Sequence, residues 1–307
     1  MCIRDRFKVP VQQPTKIVGS IRDFKSIRFV RMIMKDFEDP ITLRLATLEL
    51  VRGEWRRYNF DLREQGEYVP TDNDNNTIFD VSVVNIEENG KRSPIPYVLP
   101  PGIEQEIDNT TTSIRRQNEQ SLVLKVCDLE DGDSRAAYKT FNNDFRTYKK
   151  LKIYVHAEAS GVDQTALKDN DLHLFIRLGT DFNDNFYEYS MPLKLPHWGT
   201  SSLDDEVIWP SENEIDLEFA VLQEVKKLRN KAIKDGLIES SSEVYKNYLG
   251  EGEITVVGNP NLSQVKTIML GIRNPKKGTS SQNTFSDDGL AKCGEIWLNE
   301  LRLTDFD

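Results

Sequence analysis

GEIWLNELRLTDFD, residues 294–307, decides the fold class. Read as an extended chain, it puts Ile296 and Leu298 on one side and Trp297, Leu301 and Leu303 mainly on the other, because successive side chains of a strand point to opposite faces. Apolar groups on both faces suit a strand inside a sandwich or barrel better than a frayed end. The stretch therefore predicts a closing strand of a β-sandwich.

Working back from it, four more runs alternate or are rich in β-branched and aromatic residues: LVLKVCDL (122–129), KKLKIYVHAEA (149–159), DLHLFIRLG (171–179) and NFYEYSMPL (185–193). Turn residues separate them, in EDGDS (130–134), SGVD (160–163) and TDFNDN (180–185). Short strands joined by polar turns predict an antiparallel, jelly-roll type of sandwich like that of carbohydrate-binding modules. One helix interrupts them. Val221, Val225, Leu228 and Ala232 form its expected apolar stripe, with Lys226, Lys227, Arg229 and Lys231 opposite. Gly236 supplies a stop, Asp216 or Glu218 suits the N-terminal end, and the expected role is to cover one end of the sandwich.

The closing run and one further run have echoes upstream. FKSIRF (24–29) matches VKTIML (265–270) in residue type, and ITLRLATLEL (41–50) matches EIWLNELRL (295–303), in the same order. This predicts tandem sandwiches: residues 1–65 as the C-terminal part of a first, residues 66–117 as a strand plus connector, and residues 118–307 as a complete second. The connector reading rests on Pro94, Pro96, Pro100 and Pro101, which fix φ and remove backbone donors. Half a module at the N-terminal side would leave a sheet edge or face uncovered. MCIRDR (1–6) is similar to a translated sequencing-adapter remnant and is expected to be non-native.

The 307 residues suffice for two ordinary domains of about 150 each. A formal net charge of -10 excludes a general nucleic-acid binder, which needs a basic field for its phosphate contacts. No apolar run approaches the roughly 18 residues of a spanning helix. Cys2, Cys127 and Cys293 contain no CxxC pair, so neither a zinc site nor a disulfide framework is indicated. A single Cys127–Cys293 bridge stays open, since spacing does not fix disulfide geometry.

Chemistry-bearing motifs are sparse. His156, His173 and His197 lie apart without ligand-spaced partners, and no nucleophile elbow, zincin or phosphate-loop pattern occurs. An enzyme is not expected, nor a cofactor. Two binding readings remain as alternatives to a structural role. DFNDN places Asp181, Asn183 and Asn185 at alternating positions, as in a calcium loop, and Asp72, Asp74, Asn76 and Asp80 do the same. Trp198 and Trp209 fall in loops where an exposed ring would stack on a sugar or contact a partner, whereas Trp55 and Trp297 fall in strands.

Several longer segments resemble one family. LRLATLELVRGEWRRYNFDL (43–62), SPIPYVLPPGIE (93–104), NEQSLVLKVCDLEDGDSRAAYK (118–139), NFYEYSMPLKL (185–195), NPNLSQVKTIMLGIRNP (259–275) and GEIWLNELRLTDF (294–306) are similar to the SprA/Sov family of Bacteroidota. The resemblance implies an internal fragment of a very large outer-membrane β-barrel, the type IX secretion translocon required for gliding motility. It implies as partners the rest of that translocon, its secretion subunits and secreted cargo. Barrel staves need about 9–11 residues with a lipid-facing apolar row; in KSIRFVRMIMK (25–35) both rows meet an arginine. The expectation is therefore an extramembrane insertion, on the extracellular face in preference to the periplasmic one, because barrel loops are long outside and short in the periplasm.

Overall fold

The computed structural model describes residues 16, 18, 30–33, 35–37, 42, 55–58, 60–62, 69–70, 76–105, 107–108, 115–116, 118–160, 167–196, 203–278 and 288–306. The chain divides into two compact units, Met1–Val51 and Arg52–Asp307. The first of the paired echoes, 24–29 and most of 41–50, lies outside the described residues, as do Asp72 and Asp74.

The second unit is built mainly of strands. Five two-residue strands and one longer one come early: β1 (Arg56–Arg57), β2 (Phe60–Asp61), β3 (Val69–Pro70), β4 (Ile78–Asn85), β5 (Ile107–Asp108) and β6 (Arg115–Arg116). Then come β7 (Gln120–Leu129), β8 (Ser134–Asn143), β9 (Tyr148–Ala159), β10 (His173–Gly179), β11 (Phe186–Pro192), β12 (Ile215–Glu218), β13 (Tyr245–Leu249), β14 (Gly252–Val257), β15 (Val265–Arg273) and β16 (Lys292–Phe306). Helices α1 (Ile86–Asn89) and α2 (Asp205–Ile208) are single turns, and α3 (Phe219–Lys234) is the one long helix among the described residues.

Two antiparallel sheets result, one in the order β1-β8-β15-β10-β11-β14-β13 and one in the order β12-β9-β16-β7-β4. Their facing sides share one core. Leu124 and Val126 of β7, Val155 and Ala157 of β9, and Ile296 and Leu298 of β16 meet Leu174 and Ile176 of β10 and Ile268 and Leu270 of β15. This is the mainly β, sandwich-like fold the alternation predicts. Gly294 onward forms the middle of the five-stranded sheet, with β7 on one side and β9 on the other.

The parity of that strand changes part-way. Ile296 and Leu298 face the core and Trp297 faces out, as expected. Past Asn299 the pairing slips by one residue, Asn299 opposing Tyr154 but Arg302 opposing Lys152, with Glu300 at φ 54. An extra residue in one strand reverses which face its successors present. Leu303 therefore packs on the inner core, not on the Trp297 side.

Residues 55–62 and 76–105 belong to this same unit, so the expected division into half a sandwich, a free connector and a complete sandwich is not what the described residues form. β4 pairs with β7 through all eight positions, from Ile78–Cys127 to Asn85–Gln120. β1 extends the other sheet beside β8. The proline-rich stretch lies on the five-stranded sheet, where Ile95 and Tyr97 are buried against Val84, Val123 and Trp297. Across the body, Tyr58 and Leu62 are buried on the outer side of the seven-stranded sheet with Ala136, Phe175 and Met269. The Tyr58 amide donates to the Ala136 carbonyl at 2.9 Å. Each sheet thus carries a strap over part of its outer face, and the one on Phe175 helps explain why every residue of β10 is buried despite the polar members of that strand.

Helix α3 starts after Glu218 and ends at Asp235, with Gly236 at φ 72 and the Leu237 amide donating to the Ala232 carbonyl at 2.9 Å. That is the predicted glycine stop. Its buried stripe is shifted from the predicted one, to Phe219, Leu222, Val225 and Arg229, and Leu228 is exposed. Arg229 replaces an apolar group because its guanidinium binds backbone: Nη1 donates to the carbonyls of Gly258 at 2.5 Å and Ser241 at 3.1 Å. A buried cation held by carbonyls costs far less than an unpaired one.

Cys127 and Cys293 form a disulfide between neighbouring strands β7 and β16, across 166 residues of sequence. The bridge left open by spacing is closed by sheet pairing, since a bulge between Lys292 and Gly294 sets Cys293 beside Cys127.

Candidate functional site

The chemistry of this body is concentrated on the outer face of the five-stranded sheet. Alternation in β9 and β16 sends His156 and Glu158, and Glu295, Trp297 and Asn299, to that face. β7 adds Ser121 and Val123. All seven are buried, because residues 92–101 and α2 with Trp209 lie over them.

Three sets of contacts fasten the cover. At one end Arg92 donates from Nη2 to Glu158 at 2.5 Å and to Glu295 at 3.3 Å, while its guanidinium lies 5.2 Å from the Trp297 ring. Trp297 Nε1 donates to the same Glu295 oxygen at 2.9 Å. In the middle, Tyr97 is edge-on to Trp209 and tilted against Trp297, and its hydroxyl shares a triangle with Ser121 and Asn299, whose Nδ2 donates to both. Burial pushes the Tyr97 phenol up, so its hydroxyl stays a donor at neutral pH. At the far end the Tyr154 hydroxyl donates to the Pro101 carbonyl and Trp209 Nε1 to the Val98 carbonyl, each at 3.0 Å.

His156 sits at the centre, its ring 4.0 Å from that of Trp297. Nδ1 is 2.7 Å from the Ile208 carbonyl oxygen; an oxygen that only accepts requires the hydrogen on Nδ1. Nε2 then faces Glu158 Oε2 at 3.6 Å, beyond hydrogen-bond range, and both atoms are buried without partners. Burial pushes the Glu158 carboxyl up, but His156 and Arg92 beside it reverse this and hold it below the usual carboxylate range.

The residues expected to bind ligands are placed differently. Asp181, Asn183 and Asn185 do come together in the turn between β10 and β11, but their oxygens are already engaged. Asp181 Oδ1 accepts from the amides of Asn183, Asp184 and Asn185 at 3.1, 2.6 and 2.9 Å, and Oδ2 accepts from Asn185 Nδ2 at 2.9 Å. Burial raises its pKa, yet these donors outweigh that and leave the carboxyl lowered. Asn185 Oδ1 accepts from the Asn259 amide at 2.9 Å, and Asn183 Oδ1 from the Tyr58 hydroxyl at 3.4 Å. Gly258 completes the turn at φ 65, where an added Cβ would lie 1.7 Å from the Asp184 carbonyl oxygen. The geometry is that of a self-closed Asx turn. Asp181→Ala is expected to lower stability by about 1–3 kcal/mol through the stranded amides, read by urea denaturation. Calcium titration calorimetry of the unaltered chain should show no saturable heat; saturable binding abolished by the substitution would reverse the assignment.

Trp209 is 3 % exposed, so it offers no open stacking platform; its ring and indole N–H hold the cover instead. Trp198 and His197 lie outside the described residues. Among the described residues one cluster has three metal-ligating groups within 4.8 Å, Cys127, Asp128 and Cys293, but its two sulfurs are bonded to each other. His173 is buried on the seven-stranded sheet beside Arg273 and is driven down to about 3 by burial and then by that charge. A shallow cavity of about 360 Å³ at the start of α3 is lined by Arg146, Lys150 and Glu218 among others, and these charges are already paired, Arg146 with Asp144 and Lys150 with Glu218. Sequence reasoning missed the Arg92, Tyr97, Tyr154 and Glu158 constellation. Its signal was a run of prolines next to strands whose outward positions carry both acids and aromatics.

A family model described as a motility related/secretion protein, SprA_N, matches residues 6–307. No curated protein matches the chain.

Proposed function

We propose, from the premise that the chain belongs to the SprA_N family of motility-related and secretion proteins, that it is a non-catalytic β-sandwich region of an outer-membrane protein-translocation channel. It lies outside the membrane, frames the conduit, and contacts the rest of the channel, its secretion subunits and passing cargo. The observation that carries this reading is the double strap. Segments of the same unit lie over the outer side of each sheet, which makes a thick, rigid body in which most of the polar groups beneath the straps are engaged in internal contacts. Such a body suits positioning and not turnover. The cystine between β7 and β16 supports an oxidising, extracytoplasmic location, and the extracellular side is favoured because barrel loops are long there.

Removing residues 52–306 from a full-length family member tests the proposal. Secretion of cargo and gliding should be lost while the channel protein still fractionates with the outer membrane. Undiminished secretion with a normally inserted channel would contradict it.

A further inference from the structure

We propose that the outer face of the five-stranded sheet is a receptor groove for an extended, proline-containing peptide, filled in this chain by its own residues 93–101. The inference concerns binding chemistry and stands independently of the role in secretion.

Residues 93–101 contain no strand pairing, and four of the nine are proline. The face reads them as a ligand is read. Trp209 Nε1 and the Tyr154 hydroxyl donate to main-chain carbonyls, those of Val98 and Pro101, contacts that any extended chain can satisfy. An aromatic floor donating indole N–H and phenol O–H groups to the carbonyls of a proline-rich segment is the physical basis of proline-peptide recognition. Proline fits it because a residue without an N–H leaves no donor stranded on an apolar floor. Between the prolines Tyr97 anchors, wedged against Trp209 and Trp297.

Two further observations favour exchange over a permanent seal. Just outside the Arg92 and Pro101 fastenings the chain is exposed, at Lys91 on one side and at Gly102 and Glu104 on the other. The seam also leaves recognition capacity unused: Arg92 Nη1, His156 Nε2 and Glu158 Oε2 are buried without hydrogen-bond partners. Groups of this kind are ordinarily satisfied. Arg92 engages only Oε1 of Glu158; a peptide in trans with a further donor group before its first proline would also engage Glu158 Oε2 and His156 Nε2. The partner that fits is thus an extended, proline-containing stretch of another polypeptide, entering as residues 93–101 leave.

The test uses the full chain with specific protease sites inserted after Lys91 and after Gly102. The probe is a fluorescently labelled peptide of sequence SPIPYVLPPG, residues 93–102, with a control carrying alanine at all four prolines. After cleavage the chain should take up the labelled peptide saturably in an anisotropy titration, the uncut chain should take up far less, and the control should not bind. Trp209→Phe in the cleaved chain, which keeps a ring and deletes the donor, should weaken uptake roughly fivefold, the loss of about one hydrogen bond. A cleaved chain that keeps its circular dichroism yet takes up no peptide overturns the proposal, as does equal binding of the control. Unfolding on cleavage also overturns it, because the segment would then be core and not ligand.

Discussion

Glu188→Ala should lower the stability of this body by about 3–5 kcal/mol, the cost of stranding buried charge. Glu188 on β11 is wholly buried between two arginines. Arg177 Nε and Nη2 donate to Oε2 at 2.9 and 2.6 Å, and Arg273 Nη1 donates to Oε1 at 2.8 Å. The guanidinium of Arg177 also lies 4.0 Å from the Phe186 ring, and that of Arg273 lies 4.6 Å from the Phe175 ring. Alanine removes the anion and leaves both cations in an apolar layer. Replacing all three charges with leucine should cost less than the single change, since no ion is then left unpaired. Burial pushes the Glu188 carboxyl up, but Arg273 and Arg177 outweigh it and hold the group down at about 2. An unfolded glutamate titrates near 4.3, so the stabilisation is complete above that pH and is lost as pH falls toward 2. His173 adds to the same trend earlier. Held down to about 3 in the fold, it stays neutral while the unfolded chain takes up a proton below about 6.5. Urea midpoints should therefore fall from about pH 6.5 downward and fall faster below about 4.5. His173→Gln should remove its share of the decline between about pH 6.5 and 3 and leave the fall below about 4.5 that Glu188 contributes, and a midpoint independent of pH across this range would contradict both assignments.

Reducing the Cys127–Cys293 bridge should have a comparable effect. The bridge closes 166 residues of sequence, and the chain-entropy argument gives about 5 kcal/mol for a loop of this size, as an upper figure. Treatment with dithiothreitol, or Cys127→Ser with Cys293→Ser, should lower the urea midpoint markedly without changing the circular dichroism under native conditions. The mechanism explains why the effect is large although the bridge joins strands that are already paired. It acts on the unfolded chain, where it removes conformations, and less on the folded one. An unchanged midpoint would mean that the two sulfurs are not bonded in the folded protein.

The parts of this fold that were legible in the sequence are those governed by local periodicity. Alternation in 294–298, 122–129 and 171–179 pointed to strands and a sandwich because side-chain direction along a strand is fixed by geometry. The Gly236 stop was legible for the same kind of reason, since a positive φ selects glycine. What local pattern could not reveal was the partner of each outward face. Glu188, Arg177 and Glu158 occupy polar positions on strands, and they are buried by partners and segments far away in sequence. Residues 93–101 read as a connector because prolines exclude strand pairing, yet the same property lets them lie on an aromatic floor. The slip at Glu300, which carries Leu303 to the inner face, has no signature in alternation. Asp181 and its neighbours illustrate the converse: residues that suit calcium also suit a closed turn, and only the direction of the Asp184 and Asn185 amides separates the two.

Hydrogen–deuterium exchange with peptide resolution tests the doubly strapped body most directly. The Tyr97 amide, which donates to the Asn89 carbonyl at 3.0 Å, and the Tyr58 amide on Ala136 should both exchange far more slowly than an unstructured chain, along with β9, β10 and β16. Exchange of peptides covering 55–62 and 93–101 at unprotected rates, with those strands still protected, would contradict the account.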